Sequence, residues 1–122
     1  MRVLLLDDER VVEDIYWINF PYHRHEVTIV RNAFEFNDAI TSQVWDVISF
    51  DNDLGPEEIE GYYLLQRMAM LYMDDELGYW PEIIICHTMN SIARNNMVKF
   101  LKCFGESKLS HLTNLQVITH DR

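Results

Sequence analysis

Two stretches place carboxylates directly after apolar runs. "LLLDDER" (4–10) leads into Asp7 and Asp8, and "SFDNDLG" (49–55) carries Asp51 and Asp53. Carboxylates gathered in one crevice repel each other, so protons or a cation must offset their charge. Mg²⁺ or Mn²⁺ suits such a set, since either takes hard oxygen ligands and commonly shares them with phosphate oxygens. Asp8 and Asp51 are the expected direct ligands. Asp7 is expected to bind through water, and Asp53 through its backbone carbonyl or its side chain. The bland alternative is that these acids cap helices and stay solvated. A calcium loop is excluded, because "DNDLGPEEIEGY" has Gly55 and Tyr62 where the EF-hand pattern needs acids.

A third stretch, "HTMNS" (87–91), also follows an apolar run. His87 could be a general acid or base, a metal ligand, or a histidine hydrogen-bonded to the next loop. Asn90 or Ser91 reads as a helix N-cap, and the amides at such a helix end suit a phosphate. Arg10, Arg94 and Lys99 are the bases nearest to these motifs. Arg94 falls in a first helical turn, where a cation is mildly unfavourable, so contact with an anion is the more natural role. His120 and Asp121 follow the last apolar run. His23, His25 and His111 fall in loops and receive no role.

These residues need elements to position them, and the chain alternates accordingly. Short apolar or β-branched runs at 2–6, 26–31, 45–50, 82–86 and 115–119 read as strands. Helical spacing fills 9–20, the segment after Asn32, 62–73 and the segment after Ser91, with Gly105 as the expected stop. Asn32 with Glu35 three residues later marks a helix start. Five strands alternating with four helices predict an α/β fold, a doubly wound five-stranded parallel sheet of order 2-1-3-4-5. In that order the first and third strands are neighbours where the winding reverses, and ligands bind there, beyond the carboxyl ends of the strands. Both acid pairs, His87 and Thr88 would then share one rim.

Composition narrows the function classes. The chain has 122 residues, 48% of them hydrophobic, and a formal net charge of −10. Without a basic face, duplex nucleic acid and anionic membranes are unexpected partners, while a small phosphate ligand held through a metal fits. Cys86 and Cys103 read as buried free thiols in a reducing compartment. No signal peptide or span of transmembrane length is present, so the expected location is the cytoplasm. Tyr63, Met70 and Met73 exceed one buried helix face and hint at an interface, for which a homodimer is one candidate.

"LLLDDER", "WDVISFD", Gly61 and "IIICHT" resemble a receiver domain of the response-regulator type, and the resemblance covers nearly the whole chain, 1–122, as one receiver-like domain. It implies that Asp7, Asp8 and Asp51 bind Mg²⁺, that Asp51 accepts a phosphoryl group, and that Thr88 is the hydroxyl residue after the fourth strand. The family's lysine after the fifth strand has no counterpart in "THDR", and the last helix is expected to be absent. "DDER", "ISFDNDLG" and "HTMNSIARNNM" are more closely similar to the receiver-related family described as cyclic-phosphate processing. Its D-H-D-L motif stands here as Asp51-Asn52-Asp53-Leu54, with asparagine for histidine. Its H-S-x-N motif stands as His87-Thr88-Met89-Asn90, and Ser91 replaces a frequent proline.

Three functions follow. The first is a metal-dependent phosphoesterase acting on a cyclic or small nucleotide phosphate. In it, His87, Asp51 and Asn90 would be catalytic, Thr88, Ser91 and Arg94 would hold phosphate, and Asp7, Asp8, Asp51 and Asp53 would hold the metal. The second is a signalling receiver phosphorylated on Asp51. The third is a module that binds a phosphate ligand or a protein without turnover.

Overall fold

The computed structural model describes residues 1–11 and 26–120. These form β1 (Arg2–Leu6), β2 (Glu26–Val30), α1 (Ala33–Ser42), β3 (Val47–Phe50), α2 (Gly61–Met73), β4 (Ile83–Cys86), α3 (Ser91–Lys108) and β5 (Gln116–Thr119). The expected helix over 9–20 falls on residues that lie almost wholly outside the described set, as do His23, His25 and Asp121. The sheet is five-stranded and all parallel in the order β2-β1-β3-β4-β5, as the alternation predicts.

The central strands are apolar on both faces because both faces are buried. Val3 to Leu6 are all fully inaccessible. Leu4, Leu6, Ile48, Phe50, Ile84 and Cys86 point to one side and join the core supplied by α1, α2 and α3. Val3, Leu5, Val47, Ile83 and Ile85 form a second aliphatic layer on the other side. Ser49 is the single polar residue of β3, and the two-residue period of a strand assigns it to that second layer.

Helix α1 starts where Asn32 predicts it. The Asn32 side chain accepts the Glu35 amide at 2.9 Å, and the Glu35 carboxylate accepts the Arg31 amide at 2.8 Å. Phe36 and Ile40 form its buried face. Asn32→Ala should lower unfolding free energy by about 1 kcal/mol in a denaturant titration, since the cap satisfies an otherwise orphaned donor.

Two expectations fail on α3. Gly105 does not stop the helix, which runs to Lys108 because the next turn buries Leu109 with Ala69 and Phe104. Cys103 is exposed rather than buried, since Met97, Leu101 and Phe104 form the inner face and position 103 lies off it. Cys86 is buried, and burial raises its thiol pKa to about 12. Tyr63, Met70 and Met73 all project into solvent from α2. Among the described residues no helix is long and apolar enough to cross a membrane.

Candidate functional site

The parallel ladder continues one residue past each of four strands, and this fixes the rim. The Asp7 amide donates to the Val30 carbonyl, Asp51 to Leu6, His87 to Phe50 and His120 to Cys86. Asp7, Asp51 and His87 therefore begin their side chains from backbone that is still part of the sheet. Each also lies two residues beyond a member of the second aliphatic layer or beyond Ser49, so all three project toward the same face. One ligand atom from each lies within 4.8 Å of the others.

A pocket of about 390 Å³ opens over this rim. Asp7, Asp8, Asp51, Asp53 and Thr88 line it, as the sequence anticipates, together with Glu9, Arg10, Gly55 and Met89. His87, Asn90, Ser91 and Arg94 are not on its wall. His87 is completely buried beneath it, with Nδ1 2.6 Å from Ser49 Oγ and Nε2 3.0 Å from Asp7 Oδ2. Asn90 caps α3 by accepting the Ala93 amide at 3.1 Å, and its own amide donates to Thr88 Oγ1. Arg94 donates to the Thr88 carbonyl at 2.8 Å and so holds the loop. Ser91 is the exposed first residue of that helix, and Lys99 is exposed further along it. His111 lies in the loop after α3, where its Nε2 is 3.4 Å from the Tyr72 hydroxyl.

The two central carboxylates differ sharply. Asp7 Oδ1 accepts the amides of Glu9 and Arg10, while Oδ2 accepts the Arg10 guanidinium and lies against His87. Burial alone would raise its pKa, but the hydrogen bonds from His87, Arg10 and Glu9 hold it well below the usual carboxylate range. The described residues give the Asp51 carboxylate one hydrogen bond, from the Asn52 amide to Oδ1 at 2.8 Å. Burial, then the charge of Asp7, pushes Asp51 up to about 7, although the Asn52 amide and Arg10 oppose this. Burial lowers the pKa of His87 despite its hydrogen bond to Asp7.

Neighbouring groups fix this arrangement. The Arg31 guanidinium donates to the carbonyls of Asp7 at 3.1 Å and Arg10 at 2.6 Å, tying the end of β1 to that of β2. Asn52 is 2% exposed; its Oδ1 accepts the Tyr62 amide, its carbonyl accepts the Gly61 amide, and its Nδ2 donates to Asp53. Asn52 thus joins the loop after β3 to the start of α2. The sequence reading missed Ser49, Arg31 and Met89. Of these Ser49 carried a signal, as the one hydroxyl in an otherwise apolar buried strand.

The donor set fits a hard divalent cation. Asp8 and Asp51 offer oxygens to the pocket, and Asp7, with both oxygens already engaged, suits contact through water. His87 fits less well as a ligand, because both ring nitrogens are already close to polar partners in the interior.

No curated protein matches the chain in sequence. Solved structures that share its fold include two receiver-type proteins. The BeF3-activated N-terminal receiver domain of RstA from Klebsiella pneumoniae superposes with a TM-score of 0.54 at 16% identity, covering 100% of this chain and 87% of its own. NtrX from Brucella abortus gives a TM-score of 0.50 at 18% identity over 90% of this chain, which spans only 28% of that longer protein. Residues 2–103 match the family described as the cyclic-phosphate processing receiver domain. With the five-stranded receiver sheet and the acid rim it positions, that match assigns the fold and the lineage together: the chain belongs to the cyclic-phosphate processing receiver domain family.

Proposed function

We propose that this domain binds a divalent cation, Mg²⁺ or Mn²⁺, and a phosphate group beside it, and that it works as a receiver-like signalling or ligand-binding module. The observation that carries this reading is the convergence of Asp7, Asp8, Asp51 and Asp53 on one pocket, where the described residues give the Asp51 carboxylate a single hydrogen bond. Asp8 and Asp51 would hold the cation directly, Asp7 through water, and Asp53 from the exposed side of the loop. When bound, the cation would neutralise the carboxylates and draw phosphate oxygens toward the pocket. Arg10 and Thr88, on the same wall, would face those oxygens.

A second reading is hydrolysis of a cyclic phosphate, and the family match over 2–103 favours it. In it His87, Asp51 and Asn90 would act on the ester, with Thr88, Ser91 and Arg94 on the phosphate. Burial of His87, the capping role of Asn90 and the structural use of Asn52 weigh toward the non-catalytic reading.

Calorimetric titration with Mg²⁺ and Mn²⁺, on wild type and Asp51→Ala, tests the cation site. A screen of cyclic nucleotides and terminal 2′,3′-cyclic phosphates in the same buffer then separates the two readings. Cation binding that is lost in Asp51→Ala, with no turnover, is the expected result. Turnover of any cyclic phosphate would establish the enzyme, and absence of cation binding would sink both.

A further inference from the structure

We propose that Ser49 is a positioning residue of this site: its hydroxyl donates to His87 Nδ1, so that the ring presents Nε2–H to Asp7 and fixes the carboxylate on which the pocket is built. The reasoning starts from the sheet. Register pairs Ser49 with Leu5 of β1 and Ile85 of β4, so this hydroxyl sits in a layer of aliphatic side chains. A buried hydroxyl without a partner is costly, and such groups are nearly always hydrogen-bonded. His87, two residues beyond Ile85, reaches back over the same face and brings Nδ1 to 2.6 Å from Ser49 Oγ.

Hydrogen-bond chemistry then assigns the ring. The Asp7 carboxylate can only accept, so Nε2, at 3.0 Å, must carry its proton. Ser49 and His87 are both 0% exposed, and a neutral ring is the cheaper form there. In a neutral ring protonated at Nε2, Nδ1 is bare and accepts from Ser49. The sequence of groups is thus Ser49 to His87 to Asp7, buried from the first to the last. It resembles a nucleophilic triad in composition only, because the serine is sealed inside the sheet. Its effect falls on Asp7: two amides and Arg10 hold this carboxylate from the loop side, and His87 holds it from below.

Such partners behind a ligand commonly change metal affinity by about 10- to 100-fold when removed. The effect on affinity rests on the cation-site reading above; the tautomer does not. Long-range ¹H–¹⁵N correlation from the His87 ring protons of metal-free wild type reads the tautomer directly. A bare Nδ1 with a protonated Nε2 is expected, and either the reverse tautomer or a doubly protonated ring overturns the proposal. Glutamine can place its amide N–H near the position of Nε2, and asparagine cannot. His87→Gln should therefore bind Mg²⁺ within a few-fold of wild type, while His87→Asn and Ser49→Ala bind about tenfold more weakly. Unchanged His87 nitrogen shifts in Ser49→Ala overturn the proposal. If Ser49→Ala does not fold, the wild-type tautomer and the Gln/Asn pair still decide. Wild type that binds no divalent cation but shows the expected tautomer would remove the cation site and leave the hydrogen-bond assignment standing.

Discussion

Gly61→Ala is expected to lower the thermal midpoint by about 10 °C, whereas Gly105→Ala should raise it slightly. Both glycines lie in helices, and in both places alanine gains up to about 1 kcal/mol of helix propensity. Packing separates them. A Cβ on Gly61 would lie 1.7 Å from the Asp51 carbonyl oxygen and 2.8 Å from its carbon, far inside contact distance. The obstacle is backbone, so no rotamer change relieves it. The Gly61 amide also donates to the Asn52 carbonyl at 2.8 Å, so helix α2 is docked by its first residue onto the strand end that carries Asp51. Moving the helix away breaks that bond and the Asn52 cap on Tyr62 together. Overpacking of this kind commonly costs about 1–3 kcal/mol or more, which outweighs the propensity gain. At Gly105 nothing lies within 4 Å of the added carbon, so propensity alone acts. Thermal denaturation by circular dichroism of the two variants beside wild type is the check. Equal midpoints for both would show that α2 is not seated on Asp51 in this way.

That docking explains which parts of the fold were legible in the sequence. Five apolar runs gave the strands, and parallel order followed from the alternation, because crossover chirality leaves few other arrangements. The rim followed in turn, since Asp7 and Asp51 each come directly after a central strand. What stayed hidden depends on single hydrogen bonds. His87 reads as the first loop residue after β4, yet its amide still donates to Phe50 and its ring turns inward beneath Asp7. Ser49 reads as one more residue of an apolar run, although its period-two position, shared with Asp51, puts it on the site's face. Asn52 reads as a departure from the D-H-D-L motif, whereas its amide group is occupied with the start of α2. Gly105 looks like a helix stop only if Leu109 has nowhere to pack, and HTMNS looks like a phosphate loop only if Asn90 and Arg94 are not already holding Thr88 and α3. Residue type shows where polar groups concentrate, but which of them face a ligand is settled by the packing of their neighbours.

At pH 8, Asp51→Asn is expected to raise the thermal midpoint of the metal-free domain and to abolish the further rise that Mg²⁺ gives wild type. Burial, followed by the charges of Asp7 and Asp8, lifts the Asp51 pKa from 3.8 to about 7. A carboxyl whose folded pKa is raised contributes stability that is fully present below its unfolded pKa and is lost as pH rises through the folded one. Asp51 therefore weakens the metal-free fold progressively from about pH 4 to pH 7. His87 pulls the other way at the acid end, because burial lowers its pKa from 6.5 and protonation below that value opposes folding. The wild-type curve mixes the two effects, so the difference between mutant and wild type is what isolates Asp51. Asparagine keeps an oxygen for the Asn52 amide and removes the charge that faces Asp7, so the mutant's advantage over wild type should grow as pH rises toward 7 and level off above it. It also removes a cation ligand. For wild type a cation at about 100 times its dissociation constant adds about 2.7 kcal/mol, and the mutant should gain almost none of it. Below pH 7 the cation must displace a proton from Asp51, so wild-type affinity should fall about tenfold per pH unit, with about one proton released in calorimetry at pH 6. Thermal scans of both proteins from pH 5 to 8, with and without Mg²⁺, measure all of this. A mutant less stable than wild type at pH 8 without metal, or one that keeps the Mg²⁺ shift, would mean that Asp51 is not the strained carboxylate on which cation binding depends.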